Sequence, residues 1–243
     1  PECRMYLLRQ AYEEAIHTHA YQYIVESLGL NEAEIFTMYQ RIESIYDKDN
    51  FVSELVGDIL DPSFKTGSFA SDQKFLENLI DFYVIMEGIF FYSSFAAMLS
   101  FRRRNLLPGT AEQFQYIMRD ESMHMNFGID MINQIKDEQP GLWTETFQKR
   151  ISNKLCQAAE LEEAYAHSLM PRGILGLNAE SFEDYTRYVA DRRLVSIGLP
   201  PRFEVKNPFP WMSEQVDLTK SKNFFETRVT EYQTGGALEW DDF

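Results

Sequence analysis

Apolar residues recur at three- and four-residue spacing along most of the chain, the period of helices that bury one face. Asn31-Glu32-Ala33-Glu34 reads as a capping box, and Ile35, Met38, Tyr39, Ile42 and Ile45 behind it form one stripe, which predicts a helix. A second box, Thr110-Ala111-Glu112-Gln113, follows the Pro108-Gly109 turn and opens a helix carrying Phe114, Ile117, Met118, Glu121, Met125 and Ile132. Pro140-Gly141 breaks that helix, and the next runs to about Met170-Pro171. Another spans roughly Ala179 to Ile197 and stops at Gly198-Leu199-Pro200-Pro201. No Asn-Gly turn between alternating apolar runs signals a hairpin. The pattern predicts an all-α bundle over residues 1–201. Residues 202–230 read as an extended or short-helical segment marked by Asn207-Pro208-Phe209-Pro210-Trp211. Residues 231–243 have the composition of a flexible tail, either frayed or docking on a partner through Leu238, Trp240 and Phe243.

Composition narrows the function. With 44% hydrophobic and 14% aromatic residues among 243, the chain has material for a sizeable core. A formal charge of −15 disfavours nucleic acid as a partner, because phosphates must be neutralised by Lys and Arg. Cys3 and Cys156 build no disulfide framework, and a reduced, cytoplasmic setting is expected. The run from Val84 to Phe101, ending in Arg102-Arg103-Arg104, approaches the length of a membrane span. Glu87 inside it and Ser93, Ser94 and Ser100 beyond it argue instead for a buried helix whose C-terminal dipole the arginines compensate.

Candidate chemistry lies where charge interrupts apolar periodicity. Glu14-Ala15-Ile16-His17 and Glu121-Ser122-Met123-His124 each place a carboxylate and an imidazole on one helix face. Glu87 stands alone between Tyr83–Met86 and Ile89–Phe91. Two Glu-x-x-His pairs with carboxylates from two further helices make the dimetal site of ferritin-like bundles, and oxygen donors with one imidazole per metal suit iron or manganese. The set is one carboxylate short. Glu13, Glu54 and Glu162 are stand-ins, none of which interrupts a stripe as Glu87 does. Glu163, His167 and His19 read as surface or packing residues. Tyr21, four residues after His17, is placed one turn on, with Phe91, Phe95 and Ile117 as its expected apolar wall. It is either a core tyrosine or a one-electron donor.

These blocks closely resemble the small, radical-generating subunit of class I ribonucleotide reductase. They are Glu14–His17 with Tyr21, Met86-Glu87-Gly88-Ile89-Phe90-Phe91-Tyr92-Ser93-Ser94-Phe95, and Arg119-Asp120-Glu121-Ser122-Met123-His124. Pro171-Arg172-Gly173-Ile174-Leu175-Gly176, Asn207–Trp211 and Asn223-Phe224-Phe225-Glu226 extend the likeness over nearly the whole chain. The resemblance implies a ferritin-like bundle with Glu14, His17, Glu87, Glu121 and His124 as metal ligands. It makes Asp120 the hydrogen-bond partner of a ligating histidine and Tyr21 the radical tyrosine. It also makes Tyr232 the residue that hands the radical to the large subunit, residues 231–243 the docking peptide, and the small subunit a homodimer.

It implies two iron ions. The blocks are most similar to a subgroup that carries Phe where this chain has Tyr21 and uses manganese with iron, so a mixed centre stays open. The family's first carboxylate ligand and the tryptophan of its radical route lie upstream of the stretch matching Pro1. The opening helices are therefore expected to be missing here, and the chain alone to hold metal weakly and be inactive. The rivals are another dimetal carboxylate oxidase and a non-enzymatic metal-binding scaffold.

Overall fold

A computed structural model of the chain describes residues 1–57, 61–173 and 177–212. Its helices are α1 (Glu2–Ser27), α2 (Glu32–Ile35), α3 (Glu43–Val56), α4 (Phe69–Leu79), α5 (Tyr92–Arg102), α6 (Pro108–Glu138), α7 (Glu145–Leu169) and α8 (Ala179–Ser196). A π-helical segment, Ile80–Met86, continues α4 toward α5. No β-strand occurs among the described residues, so the all-α expectation holds. In the bundle α7 packs on α8 and α3, while α6 receives α5, the π segment and α1. Residues 213–243, including Tyr232 and the expected docking tail, lie outside the described residues.

Three local expectations are corrected. The Asn31 side chain does accept from the Glu34 amide, but helix α2 lasts only Glu32–Ile35. The stripe through Ile45 is divided by a short 3₁₀ turn, Met38–Gln40, before α3 starts at Glu43. Helix α6 opens at Pro108 after Leu107 in the left-handed region, without a side-chain cap, so Thr110 is inside the helix. Proline supplies the start because its ring fixes φ and its missing N–H is not needed there. Lastly, the Val84–Phe101 run is not one helix: Glu87 terminates the π segment and α5 begins only at Tyr92. Among the described residues no helix is long and apolar enough to cross a membrane.

Two apolar clusters form the interior. One gathers Leu76, Ile80, Val84, Ile85, Ile89, Met125, Ile132, Leu155 and Leu194. The other gathers Phe95, Leu99, Ile117, Met118, Phe182, Tyr185 and Phe209. Phe209 fills its cluster through an edge contact with Phe182, at 5.0 Å between ring centroids, so the Asn207–Trp211 stretch is docked; it bends at Pro208 and turns helical from Pro210. Glu121 falls where α6 passes from the second cluster into the first, and Glu87 lies within the first, between Ile85 and Ile89. Helix α1 is inverted: it buries Gln10, Glu13 and His17 against α6 and exposes Met5, Leu8 and Tyr12.

Candidate metal centre

The buried polar face of α1 meets α6 and the end of the π segment, and the carboxylates and imidazoles converge there. Glu14, Glu87, Glu121 and His124 each offer an atom within 4.8 Å of all the others. His17 closes the group, its Nδ1 lying 3.1 Å from Glu121 Oε1 and 3.5 Å from Glu14 Oε2. The two imidazole rings flank the cluster with centroids 6.0 Å apart. All five residues proposed from sequence as ligands are thus in one place. Glu54 and Glu162 are not: Glu54 is exposed, and Glu162 is buried against Lys48 at 2.5 Å.

The π segment explains how Glu87 reaches the cluster. Five-residue hydrogen bonds, Glu87 N–H to the Phe82 carbonyl at 3.1 Å and Phe90 N–H to the Ile85 carbonyl at 3.2 Å, shift the angular phase of the helix. One carboxylate can then face α1 and α6 while Ile85 and Ile89 on either side stay in the apolar core. Gln10 steadies it, donating to Glu87 Oε1 at 2.6 Å while accepting from the Tyr83 hydroxyl at 3.1 Å.

Each histidine is oriented from behind. His17 Nε2 pairs with Asp120 Oδ2 at 3.3 Å, and His124 Nε2 pairs with Glu13 Oε2 at 2.9 Å. Both Nδ1 atoms therefore turn toward the cluster, the arrangement in which a carboxylate fixes a ligand's tautomer. Arg9 in turn grips Glu13 Oε1 through Nε at 2.9 Å and Nη2 at 2.7 Å. Glu13, a stand-in ligand in the sequence reading, is the counterpart of Asp120. Sequence reasoning missed Gln10 and Arg9. The signal was there in part: Gln10, Glu13/Glu14, His17 and Tyr21 recur at helical spacing, as a polar stripe that ordinarily faces water.

Whether a metal suits this site is decided by unsatisfied atoms. His17 Nδ1, His124 Nδ1, Glu87 Oε2 and Glu121 Oε2 are buried and lack a hydrogen-bond partner. Each such atom costs about 1–3 kcal/mol unless something compensates it. Two carboxyl oxygens and two imidazole nitrogens, on residues gathered in one cluster, form a donor set that fits cations preferring oxygen with imidazole.

Protonation without metal follows the same geometry. Burial alone would lower His17, but the carboxylates of Asp120, Glu121 and Glu14 raise it to about 11. His124, likewise opposed by burial, is raised to about 10 by Glu121, Glu14 and Glu13. Burial and then the charge of Glu121 push Glu87 up to about 9. Burial would raise Glu14 too, but the two histidines bring it down to about 2. At pH 7 His17, His124 and Glu87 therefore each hold a proton that a metal must displace. Raising the pH removes the competitor, so affinity strengthens from pH 6 through pH 9 by about tenfold per unit for each proton displaced. Titrating Co(II) calorimetrically at several pH values, in buffers of different ionisation enthalpy, checks this. Constant affinity with no proton release would show that the ligands are already deprotonated.

Tyr21 sits one turn beyond His17 in the second apolar cluster. Its ring meets Phe114 edge-on at 5.7 Å, and Phe114 meets Phe95 at 6.3 Å, with Phe91 and Ile117 in the same cluster. Phe91, Phe95 and Ile117, the expected wall, share the cluster with Tyr21, and Phe114 on α6 is the ring in edge contact with it. Phe95 does not continue one α-helix from Glu87, because residues 87–91 form a turn between the π segment and α5. Burial, then the charges of Glu121 and Glu14, hold the Tyr21 phenol above its ordinary pKa.

The fold and this cluster define a helical-bundle protein of the carboxylate-and-histidine metal class. Ribonucleotide reductase, small chain, is the family whose pattern matches residues 1–208, and the chain belongs to it. The chain is 56% identical over 240 residues to the ribonucleoside-diphosphate reductase subunit beta of Chlamydia pneumoniae, covering 99% of this chain and 69% of that protein. It is 29% identical to the ribonucleoside-diphosphate reductase small chain 1 of Saccharomyces cerevisiae, covering 98% of this chain and 55% of the other. A solved ribonucleotide reductase subunit from Clostridium botulinum superposes with a TM-score of 0.76 at 28% identity, over 85% of this chain and 64% of that one. The ferritin-like bundle is thereby shown, and a dimetal centre is what the family implies.

Proposed function

We propose that this chain provides the dimetal centre and the radical-storing tyrosine of a ribonucleoside-diphosphate reductase small subunit. In this reading Glu14, His17, Glu87, Glu121 and His124 hold two iron ions, with a manganese–iron pair as the variant the donor set also admits. The bound metals supply O2 activation and one-electron oxidising power. Asp120 and Glu13 hold the two imidazoles with Nδ1 inward, and Gln10 holds Glu87. Tyr21 is the group oxidised. Its raised pKa keeps the phenol protonated at neutral pH, so electron and proton leave together. Phe91, Phe95, Phe114 and Ile117 exclude water and reductants from the resulting radical.

The oxidising equivalent then passes, by way of Tyr232, to the large subunit, on which residues 231–243 dock and where the ribonucleotide is reduced. The small subunit is a homodimer of the cytoplasm. The observation that carries this reading is the placement of a walled tyrosine one helical turn from a cluster of four unsatisfied buried ligand atoms.

The test is reconstitution of the full-length protein with ferrous iron and O2, followed by electron paramagnetic resonance and by assay with the large subunit. A tyrosyl signal and reduction of ribonucleoside diphosphates are expected. Iron oxidation with neither would favour a storage role, and iron oxidation with turnover of an unrelated substrate would favour an oxidase.

A further inference from the structure

The turn that carries Glu87 is held by charges that do not belong to the metal cluster. Between the π segment and α5 the backbone of residues 87–91 leaves the regular helical pattern, so some of its polar groups need partners from elsewhere. Three distant helices supply partners to this turn and to the first turn of α5. Arg193 of α8 donates from Nε to the Gly88 carbonyl at 2.8 Å. Lys48 of α3 donates to the Phe90 carbonyl at 3.0 Å. Glu162 of α7 accepts from the Ser93 amide at 3.2 Å and binds Lys48 at 2.5 Å through its other oxygen.

These groups are costly to bury. Glu162 is fully buried and Arg193 is 8% exposed. Removing charges from water is expensive, and well-packed apolar residues would often serve stability as well or better. What apolar residues cannot do is hydrogen-bond the free carbonyls of an irregular turn. The cations are also seated on rings of the same segment, Arg193 over Tyr92 at 4.8 Å and Lys48 over Phe90 at 4.8 Å. Gly88 lets the turn close: a Cβ there would stand 2.2 Å from the Val84 carbonyl oxygen and 3.2 Å from Arg193 Nε.

We propose that Arg193 and the Lys48–Glu162 pair form a three-point clamp that positions Glu87 for metal binding from outside the cluster. They are positioning residues: Glu87 is fixed on its cluster side by Gln10 and on its backbone side by the clamp. Without the backbone hold, the turn can relax toward regular helix and swing the carboxylate out of phase with Glu14 and Glu121. The inference rests on the reading of Glu87 as a ligand.

The test is Co(II) titration of the chain, following the visible ligand-field bands, for the parent, Arg193→Leu, Arg193→Lys, Arg192→Leu and Glu87→Gln. Arg193→Leu is expected to weaken Co(II) binding by about 10- to 100-fold, the cost of losing a group that orients a ligand, and to alter the bands. Arg193→Lys, which keeps a cation and a donor, is expected to recover most of both. Arg192→Leu, at an exposed neighbour outside the clamp, is expected to match the parent.

A parent that binds Co(II) together with an Arg193→Leu protein of equal affinity and spectrum overturns the clamp alone. A parent that binds none, or a Glu87→Gln variant of undiminished affinity, overturns the ligand reading and the clamp with it. Should Arg193→Leu fail to fold, hydrogen exchange of the unaltered chain decides. Amides of residues 88–93 that exchange as slowly as the interior of α5 support the clamp, and exchange at the rate of exposed loops overturns it.

Discussion

Replacing Tyr21 with phenylalanine is expected to abolish the tyrosyl radical completely while leaving the metal cluster and the fold in place. The substitution removes one oxygen atom. The ring's edge contact with Phe114 at 5.7 Å is unchanged in kind, and no metal-cluster atom depends on the hydroxyl for a hydrogen bond. The stability change should therefore stay within about 1 kcal/mol, the worth of one ordinary hydrogen bond. A phenyl ring has no O–H to give up with an electron, so no stable neutral radical can form at that position. The full-length metal-free protein should show Co(II) affinity and helix content equal to the parent, and after reconstitution with iron and O2 it should show no tyrosyl resonance and no ribonucleotide reduction with the large subunit. A resonance of undiminished intensity in Tyr21→Phe would move the radical to another residue and overturn the assignment.

The second large effect concerns Gly128, one helical turn beyond His124. A Cβ at this position would lie 2.0 Å from Cγ and 2.3 Å from Cβ of Tyr83. Those atoms are next to the Tyr83 backbone, so no rotation about a distant bond relieves the clash; the π segment or α6 itself must move. Overpacking costs about 1–3 kcal/mol and occasionally more, and contact with two such rigid atoms places Gly128→Ala at the upper end. For a chain of this size that corresponds to a fall in melting temperature of about 6–12 °C. The site would feel it as well, because the Tyr83 hydroxyl holds Gln10 and Gln10 holds Glu87. Gly141→Ala, where a Cβ meets nothing within 4 Å, is the control and should leave the melting curve unchanged. Thermal melts by circular dichroism check both, and a Gly128→Ala protein melting with the parent would show that α6 can shift at no cost.

Helical spacing alone made much of the bundle legible. The ends at Glu138, Leu169 and Ser196 fall where Pro140-Gly141, Pro171 and Gly198 predict, because a residue that cannot continue a helix acts locally. The α2–α3 region was misread because Ile35 through Ile45 keeps helical spacing across a 3₁₀ turn, and periodicity does not register a change of axis. The π segment and turn at Glu87 were invisible for a related reason. Nearly every neighbour of Glu87 is apolar, so a shift of phase leaves the hydrophobic pattern unaltered.

The candidate ligands were legible in the sequence: a carboxylate and an imidazole three residues apart share a helix face in any α-helix, and a lone Glu in an apolar run must find a partner. Tertiary structure decided the rest. It turned Glu13 from a stand-in ligand into the orienting partner of His124, brought Gln10 to Glu87, and set Lys48, Glu162 and Arg193 around the turn. Those roles depend on which side chains meet across helices, at separations of 77, 105 and 111 residues along the chain. Local sequence sets a residue's face on its own helix. Only packing decides what that face meets.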